Sequence, residues 1–200
     1  MPVFSLETER LRIRDVGSTG EAEVAFLASV LVDDDFASRV GVGETDPGAA
    51  RRIVEAIRFG AAARDWWRGP KFAECRESAA IVGWFTLETC WLDGIEEVEL
   101  GWALAPRFRG RGLGEEGARA MRDFGFSVLR LSSLSATIDA DNAPAIALAL
   151  KLGAVYCGEV AYRSAVSKET RSTGKYRIPP ATSSYEKASR SFAEISASER

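Results

Sequence analysis

A turn rich in glycine and arginine limits the possible folds of this chain more than any other stretch does. It holds three residues of each type, namely Arg107, Arg109, Gly110, Arg111, Gly112 and Gly114. Residues 97–104 before it alternate apolar side chains with others, which predicts a half-buried strand that Pro106 ends. After the turn, apolar or small residues recur at spacings of three and four from Leu113 to Val128, which predicts one stripe of a helix. The chain therefore passes from a strand, through a basic turn with few bulky side chains, into a helix.

A turn of this kind is a potential anion site. The N–H groups at the start of a helix lack partners within the helix, and the helix dipole places partial positive charge there. Two interpretations follow: a loop that binds phosphate, or a tight strand-to-helix connection whose arginines are only solvated. The spacing fits neither a P-loop, which ends in Gly-Lys-Ser/Thr, nor the Gly-x-Gly-x-x-Gly dinucleotide fingerprint.

The overall charge favours a small anionic ligand over a polyanion. The chain has 200 residues and a net charge of −3, from 26 basic and 29 acidic side chains, so the basic turn is a local feature. This length suits one domain. The N-terminus lacks the layout of a signal peptide, and no apolar run reaches the length of a membrane span. We therefore expect a cytoplasmic protein that binds neither nucleic acid nor membrane.

The residue inventory also limits the chemistry. The chain contains no histidine, and its three cysteines, Cys75, Cys90 and Cys157, form no C-x-x-C pair. We therefore expect three small buried cysteines, with neither a disulfide framework nor a metal site. The acidic run at residues 33–35 is expected to be a solvated helix end or turn. Without histidine, catalysis must use carboxylates, backbone groups, tyrosine or water.

Periodicity and turn residues predict the remaining elements. Strands are expected at residues 11–14, 71–75, 80–90, 131–138, 154–166 and 176–185, and helices at residues 20–32, 45–67 and 142–152. The strands at residues 71–75, 80–90 and 97–104 should form an antiparallel meander. The strand at residues 131–138 should run parallel to the one at 97–104, because a crossover through a helix joins them.

The same pattern assigns core faces and element ends. The predicted core side chains are Ile53, Ile57 and residues 59–61 in the second helix, and Ile146, Leu148, Leu150 and Leu152 in the last. Thr45 or Asp46 can cap the second helix, and Asn142 can cap the last. Residues 168–174 are expected to form the loop of a final hairpin, and Pro179-Pro180 should place part of its second strand at an edge.

Several motifs along the chain resemble those of the GNAT acetyltransferase superfamily. Arg109, Gly112 and Gly114 match its Arg/Gln-x-x-Gly-x-Gly/Ala pyrophosphate loop. Further motifs resemble the branch that contains ribosomal-protein-alanine N-acetyltransferases: Thr8-Glu9-Arg10-Leu11, Glu99-Leu-Gly-Trp, Glu116, and an Asn-x-x-Ser/Ala-(x5)-Lys-x-Gly helix at Asn142, Ala145, Lys151 and Gly153. These matches span roughly residues 6–185 in the order of the family.

The resemblance implies a fold. It is an α/β (α+β) GNAT domain over residues 1–187, followed by a polar, flexible tail at residues 188–200. Its mixed, mostly antiparallel central sheet has about seven strands and is flanked by about four helices.

The resemblance also implies a ligand, acetyl-CoA, as the acyl donor. The residues that would contact it are Leu104, Ala105, Arg109, Gly110, Arg111, Gly112, Leu113, Gly114 and Asn142. Residues 109–114 would hold the pyrophosphate, and backbone groups near Leu104 and Ala105 would pair with the pantetheine arm. Asn142 would reach that arm or would only cap its helix.

Transfer of an acetyl group to an amine needs a base and a way to protonate or stabilise the thiolate. Glu99 or Glu97 could act as the base through water, or Glu99 could instead have a structural or substrate-orienting role. Alanines, Ala145 and Ala149, stand where the family usually has a serine and a tyrosine, so the general acid is not identified.

Three functions remain open. The resemblance favours an acetyl-CoA-dependent N-acetyltransferase, in which a primary amine of a protein N-terminus or a small molecule attacks the thioester directly. The two missing hydroxyls favour a non-catalytic acyl-CoA-binding or regulatory protein on the same fold. A nucleotide-phosphate binder unrelated to CoA is the third. The sequence does not name the acceptor, and the aromatic-rich hairpin edges could support a homodimer.

Overall fold

Eight strands form one mixed sheet in the computed structural model, which describes residues 4–33, 36–37, 48–63, 65–163 and 170–181. The strands are β1 (Ser5–Glu7), β2 (Leu11–Arg14), β3 (Gly69–Cys75), β4 (Ile81–Leu92), β5 (Ile95–Leu104), β6 (Leu134–Ile138), β7 (Val155–Arg163) and β8 (Thr170–Ile178). Their order across the sheet is β1-β2-β3-β4-β5-β6-β8-β7. Neighbouring strands are antiparallel, except that β5 and β6 are parallel.

Four longer helices accompany the sheet in the described part of the chain. They are α1 (Glu21–Val30), α2 (Ala49–Ala63), α3 (Leu113–Ser127) and α4 (Ala143–Lys151), and a 3₁₀ turn at Pro106–Phe108 precedes α3. The predicted α/β (α+β) class is confirmed, as are the β3-β4-β5 meander and the parallel placement of β6 beside β5. The sheet has one strand more than expected, because β1 is only three residues long and shows no readable period.

The sheet separates two apolar layers. On one face, Phe85 and Leu100 pack in a cluster with Met121 of α3. On the other face, Ala103 packs in a second cluster with Phe26 of α1. The alternation predicted for residues 97–104 is therefore correct, because Leu100 and Ala103 face opposite layers.

The parallel pair β5 and β6 joins briefly and then separates. In the described residues the two strands are in register only at Glu99 and Ser135. β5 continues for five more residues to Leu104, whereas the chain leaves β6 at Ile138 and turns towards α4. At a rise of about 3.3 Å per residue, roughly 17 Å of β5 extends past the shared pair. Beyond Glu99, no described strand pairs with this side of β5.

The C-terminal part of the sheet differs from the prediction. Strand β6 begins at Leu134 rather than at residue 131, because Arg130 has a φ of 57° and Leu131 N donates to Gly125 O at 3.1 Å, which closes the end of α3. Residues 170–174, expected in a loop, belong to β8, because residues 170–173 pair with β7 and Gly174 pairs with both β7 and β6, which overrides their turn-like composition. Strand β8 ends before Pro179 and is internal, so the predicted edge is wrong and β7 is the edge.

Two apolar side chains expected on helix faces are exposed. Phe59 is 83% exposed, because α2 packs through Val54, and a position five residues further along a helix lies about 140° away. Val128 is 57% exposed, because it follows the last residue of α3.

Two further burial predictions are wrong. In α4 the fully buried residue is Ala149, whereas Leu150 is 56% exposed, because the core-facing stripe is turned by one position. The three cysteines were expected to be buried, but Cys75 and Cys90 are half-buried, and Cys157 is exposed because it lies on the edge strand β7. The cap expected at Thr45 or Asp46, the acidic residues 34–35 and the tail at residues 188–200 lie outside the described residues.

We expect Gly117→Ala to destabilise the fold, because a Cβ at this position in α3 would lie 2.1 Å from Cζ of Phe85. Overpacking of this kind costs about 1–3 kcal/mol in the free energy of unfolding. Gly125→Ala is the matched control in the same helix, since its Cβ would meet only leucine methyl groups at 3.2–3.3 Å. Urea unfolding of both variants is the measurement. An equal or smaller loss for Gly117→Ala would contradict this packing.

Candidate active site

A cavity of about 490 Å³ lies where the chain passes from β5 into α3. The end of β5, the glycine–arginine turn and the first turns of α3 and α4 form its walls. The lining includes Trp102, Ala103, Leu104, Phe108, Arg109, Gly110, Gly112, Gly114, Asn142, Ala145 and Leu148. The structure therefore brings together most of the cofactor residues predicted from the sequence. Ala105, Arg111 and Leu113 lie next to these residues in the chain and outside the lining.

The glycines shape the start of α3. Gly110 and Gly112 have φ values of 73° and 77°, in the left-handed region that favours glycine. Gly112 precedes the helix and has no side chain to cap it, and the first helical bond runs from Glu116 N to Gly112 O at 3.1 Å. The N–H groups of residues 113–115 therefore precede that bond and can receive an anion. At Gly114 a Cβ would lie 2.7 Å from Cδ1 of Leu104, so glycine allows the helix to begin against β5.

Glu116 ties this turn to the start of the chain. Its Oε1 accepts hydrogen bonds from Thr8 Oγ1 at 2.5 Å and from Arg10 N at 2.7 Å, and its Oε2 accepts from Arg10 Nε at 2.6 Å. Arg10 Nη1 also donates to Arg111 O at 2.9 Å. Burial acts to raise the pKa of Glu116, but the hydrogen bonds from Thr8 and Arg10 outweigh it and lower that pKa. We call these contacts of Thr8, Arg10, Arg111 and Glu116 the clamp.

At the end of β5, the backbone groups of Leu104 and Ala105 differ in their hydrogen-bond partners. Ala105 N donates to Val82 O at 3.0 Å and Ala105 O accepts from Phe108 N at 2.9 Å, so both groups are engaged within the protein, unlike the free groups expected from the sequence. Alternate residues of an antiparallel strand direct their backbone groups to opposite sides, so Leu104 turns away from β4. Its carbonyl oxygen accepts from Arg109 Nε at 3.0 Å.

Helix α4 contributes the opposite wall. Asn142 caps it, because its Oδ1 accepts from Ala145 N at 3.3 Å, and Asn142 also lines the cavity. Lys151 Nζ lies 3.2 Å from Glu115 Oε2, and both residues line the cavity. Of the two alanines that replace the usual hydroxyl residues, Ala145 lines the cavity, whereas Ala149 is fully buried in the core.

Glu99 lies where β5 and β6 separate. Its Oε1 accepts a hydrogen bond from Thr137 N at 2.9 Å and another from Thr137 Oγ1. Burial raises the pKa of Glu99 above its ordinary value, and the two hydrogen bonds from Thr137 act in the opposite direction. Glu88, which is opposite Glu99 in β4, adds to the rise. Glu99 is not part of the lining of the cavity, but a carboxyl group with a raised pKa where two strands separate is a candidate proton acceptor.

Glu97 lies on the same face of β5 but has a different partner. Its Oε1 accepts from Lys175 Nζ of β8 in an ion pair that is mostly buried. Cys90 is opposite Glu97 in β4, and burial together with the charges of Glu99 and Glu97 raises the pKa of its thiol to about 12. Cys90 therefore stays protonated near neutral pH and is not a nucleophile.

Sequence reasoning missed Thr137 and Lys175. Thr137 could have been found, because Ser135 and Thr137 alternate with apolar residues in the predicted strand. Lys175 could not, because it follows residues that were predicted as a loop. Within the described residues, no group of three metal-ligating side chains could hold an ion, and no helix is long and apolar enough to cross a membrane.

The chain matches the family model of the acetyltransferase (GNAT) domain over residues 10–155. A GNAT-family acetyltransferase from Bacillus anthracis has a TM-score of 0.69 at 19% identity, covering 88% of this chain and 98% of that chain. RimL, a ribosomal L7/L12 alpha-N-protein acetyltransferase, has a TM-score of 0.68 at 14% identity, covering 90% of this chain and 96% of that chain. The ribosomal-protein-S5-alanine acetyltransferase from Vibrio fischeri has a TM-score of 0.64 at 14% identity, covering 88% of this chain and 97% of that chain.

These similarities define the class of protein. The sheet that separates after Glu99, with a helix beginning at the end of β5, is the GNAT fold, and its structural neighbours include ribosomal-protein acetyltransferases. The family model covers most of the chain, including the turn and the clamp residues from Arg10 onwards. The chain belongs to the GNAT family and is an N-acetyltransferase.

We expect Glu116→Gln to destabilise the protein by about 1–3 kcal/mol, because an amide cannot accept from all the donors of Thr8 and Arg10. Glu115→Gln is the control, since its more exposed ion pairs should contribute about 0–1 kcal/mol. A lowered pKa stabilises the fold above the ordinary pKa of a carboxyl group, so the difference from wild type should shrink as the pH falls through the folded pKa of Glu116. Chemical unfolding at pH 7 and at lower pH measures this. A difference that grows on acidification would contradict it.

Proposed function

We propose that this protein uses acetyl-CoA to acetylate a primary amine, and that the amine attacks the thioester directly. The observation that carries the proposal is the placement of both parts of a site on one strand. The end of β5 meets the open helix start of residues 112–114, and Glu99 lies further back on β5, where β6 separates.

The turn and the cavity suit the donor. The free N–H groups at the start of α3, with Arg109 and Arg111 in the same turn, would hold the pyrophosphate of CoA. The pantetheine arm would then follow the open side of β5, where Leu104 and, by strand alternation, Trp102 direct their backbone groups away from β4. The arm would take the Leu104 carbonyl that Arg109 now occupies, which frees the Arg109 guanidinium for phosphate.

The chemistry requires two proton movements. An acceptor ammonium gives one proton to Glu99, through water or directly, and the neutral amine nitrogen then attacks the acetyl carbon. When the tetrahedral intermediate collapses, the carbon–sulfur bond breaks and the electron pair stays on sulfur. A water molecule takes the second nitrogen proton and passes a proton to the thiolate, because Ala145 offers no hydroxyl and Ala149 is in the core, and Glu99 then returns its proton to solvent. The products are an N-acetyl amide and CoA.

Glu99 suits the role of base better than Glu97. The Glu97 carboxylate is engaged by Lys175 in an ion pair. Glu99 has no cationic partner in the described residues, and burial raises its pKa, so it can accept and release a proton closer to neutral pH. A protein N-terminus or a small amine would both fit this chemistry.

Release of free thiol from acetyl-CoA, measured with a panel of N-terminal peptides and small amines, tests the proposal. We expect turnover with at least one amine. Glu99→Gln should lower kcat/KM by about 100-fold or more, since general bases contribute about 10²–10⁴-fold. Glu96→Gln removes an exposed carboxylate from the same strand and should have little effect. CoA binding without thiol release on any amine would instead support a non-catalytic acyl-CoA-binding protein.

The assignment of the turn has its own test. We expect Gly112→Val to abolish measurable CoA binding in calorimetry, because its side chain would enter the turn and strain a residue with φ of 77°. Gly94→Val is the matched control, since Gly94 has nearly the same φ of 78° at an open hairpin end. Both variants should lose similar stability, and only Gly112→Val should lose affinity. Equal CoA affinity in the two variants would contradict the assignment.

A further inference from the structure

We propose that Thr137 is a positioning residue that holds one oxygen of the Glu99 carboxylate, so that the other oxygen remains available where β5 and β6 separate. This inference rests on the proposed role of Glu99 as the base. It adds a residue outside the family motifs and assigns a function to the hydroxyl of a strand residue.

The two hydrogen bonds reach the same carboxylate oxygen. Thr137 N and Thr137 Oγ1 both donate to Oε1 of Glu99. The other oxygen, Oε2, accepts no hydrogen bond from the part of the chain that the structure describes. It is also not one of the solvent-inaccessible polar atoms there that lack a hydrogen-bond partner. One oxygen is therefore fixed, and the second can meet an amine or a water molecule.

The position of Thr137 follows from the separating strands. Glu99 is in register with Ser135, so Thr137 is two residues beyond the last shared pair. A parallel strand would normally offer a backbone carbonyl to the Thr137 N–H, because buried backbone donors need a partner. Here the Glu99 side chain takes that place. The carboxylate is consequently anchored to the edge of the opening by backbone as well as by side chain.

The charges around Glu99 make this anchor necessary. Glu88 faces it from β4, and Glu97 precedes it on β5, although Lys175 of β8 pairs with Glu97. Cys90 of β4 is uncharged near neutral pH. Burial and the neighbouring Glu88 favour the protonated form of Glu99, whereas the donors of Thr137 favour the ionised form that a base requires.

The mechanism of the effect is a shift of the protonation equilibrium. With Thr137→Val, the shape of the side chain and the N–H donor remain, but one of the two hydrogen bonds to the carboxylate is lost. A hydrogen bond to a charged group corresponds to a shift of about one pKa unit or more. Glu99 would then stay protonated to a higher pH, and about tenfold less base would be present on the acidic side of the profile.

The first experiment measures Glu99 itself and needs no acceptor. Side-chain ¹³C signals of glutamate are followed against pH by NMR, and Glu99→Gln identifies the signal. We expect the pKa of Glu99 to rise by about one unit or more in Thr137→Val and in Thr137→Ala, and to return close to wild type in Thr137→Ser. The second non-hydroxyl variant covers the case in which one of them does not fold.

Ser135→Ala is the matched control. Ser135 lies on the same strand and face as Thr137, and it is buried whereas Thr137 is half-buried. Its Oγ has no hydrogen-bond partner among the described residues. Its removal should leave the Glu99 titration unchanged. If Thr137→Val leaves that titration unchanged, or if Ser135→Ala moves it as much, the positioning role of Thr137 is wrong.

The second experiment measures the pH profile of kcat/KM with an active amine. The acidic limb should move to higher pH in Thr137→Val by the shift seen in NMR, and Thr137→Ser should restore it. Suppose that Thr137→Val raises the pKa of Glu99 in NMR but leaves the acidic limb of the kcat/KM profile where it is. The proposal that Thr137 keeps Glu99 available as the base would then be wrong. If Glu99→Gln keeps full activity while the NMR shift is present, the proposed base is wrong and the Thr137–Glu99 anchor stands.

Discussion

The close approach of α3 to the centre of the sheet is the constraint on which the rest of this structure depends. At Gly114 a Cβ would lie 2.7 Å from Leu104, and at Gly117 it would lie 2.1 Å from the ring of Phe85. The axis of α3 can come this near to β4 and β5 only because these two positions are glycines. The helix start is thereby fixed beside the end of β5 at the cavity, and the N–H groups that precede its first helical bond have no backbone partner among the described residues. The clamp at Glu116 then holds this start from the other side, through Arg10.

The same strand carries the second half of the site. Among the described strands, β5 shares one residue pair with β6 and is then unpaired on that side over roughly 17 Å, which places Glu99 and the helix start at opposite ends of this segment. Two neighbouring carboxylates on this strand have different environments: Glu97 is paired with Lys175, whereas Glu99 is buried beside Thr137. Two chemically identical carboxyl groups can take different acid–base roles when their environments differ in this way.

The sequence predicted those parts of the molecule that depend on local chemistry. The strand, turn and helix of residues 97–128 were readable because their periods and glycines are contiguous, and the Asn142 cap forms as expected. The contacts of Glu116 and Glu99 were not readable, because their partners lie 106 and 38 residues away. Residues 170–174 were misassigned because their turn-like composition is overridden by pairing with β7, and at Gly174 also with β6. The engaged backbone of Ala105 depends on the strand register, which a motif does not contain.

The central claim is that the start of α3 binds the pyrophosphate of CoA while β5 receives the pantetheine arm. Calorimetric titration with CoA and with pantetheine, which has the same arm and no pyrophosphate, tests this claim most directly. CoA should bind at least about tenfold more tightly, because each charge-assisted hydrogen bond contributes about 1.5–3 kcal/mol and 1.4 kcal/mol corresponds to a factor of ten. Equal affinities for CoA and pantetheine, or tighter binding of ATP than of CoA, would contradict it.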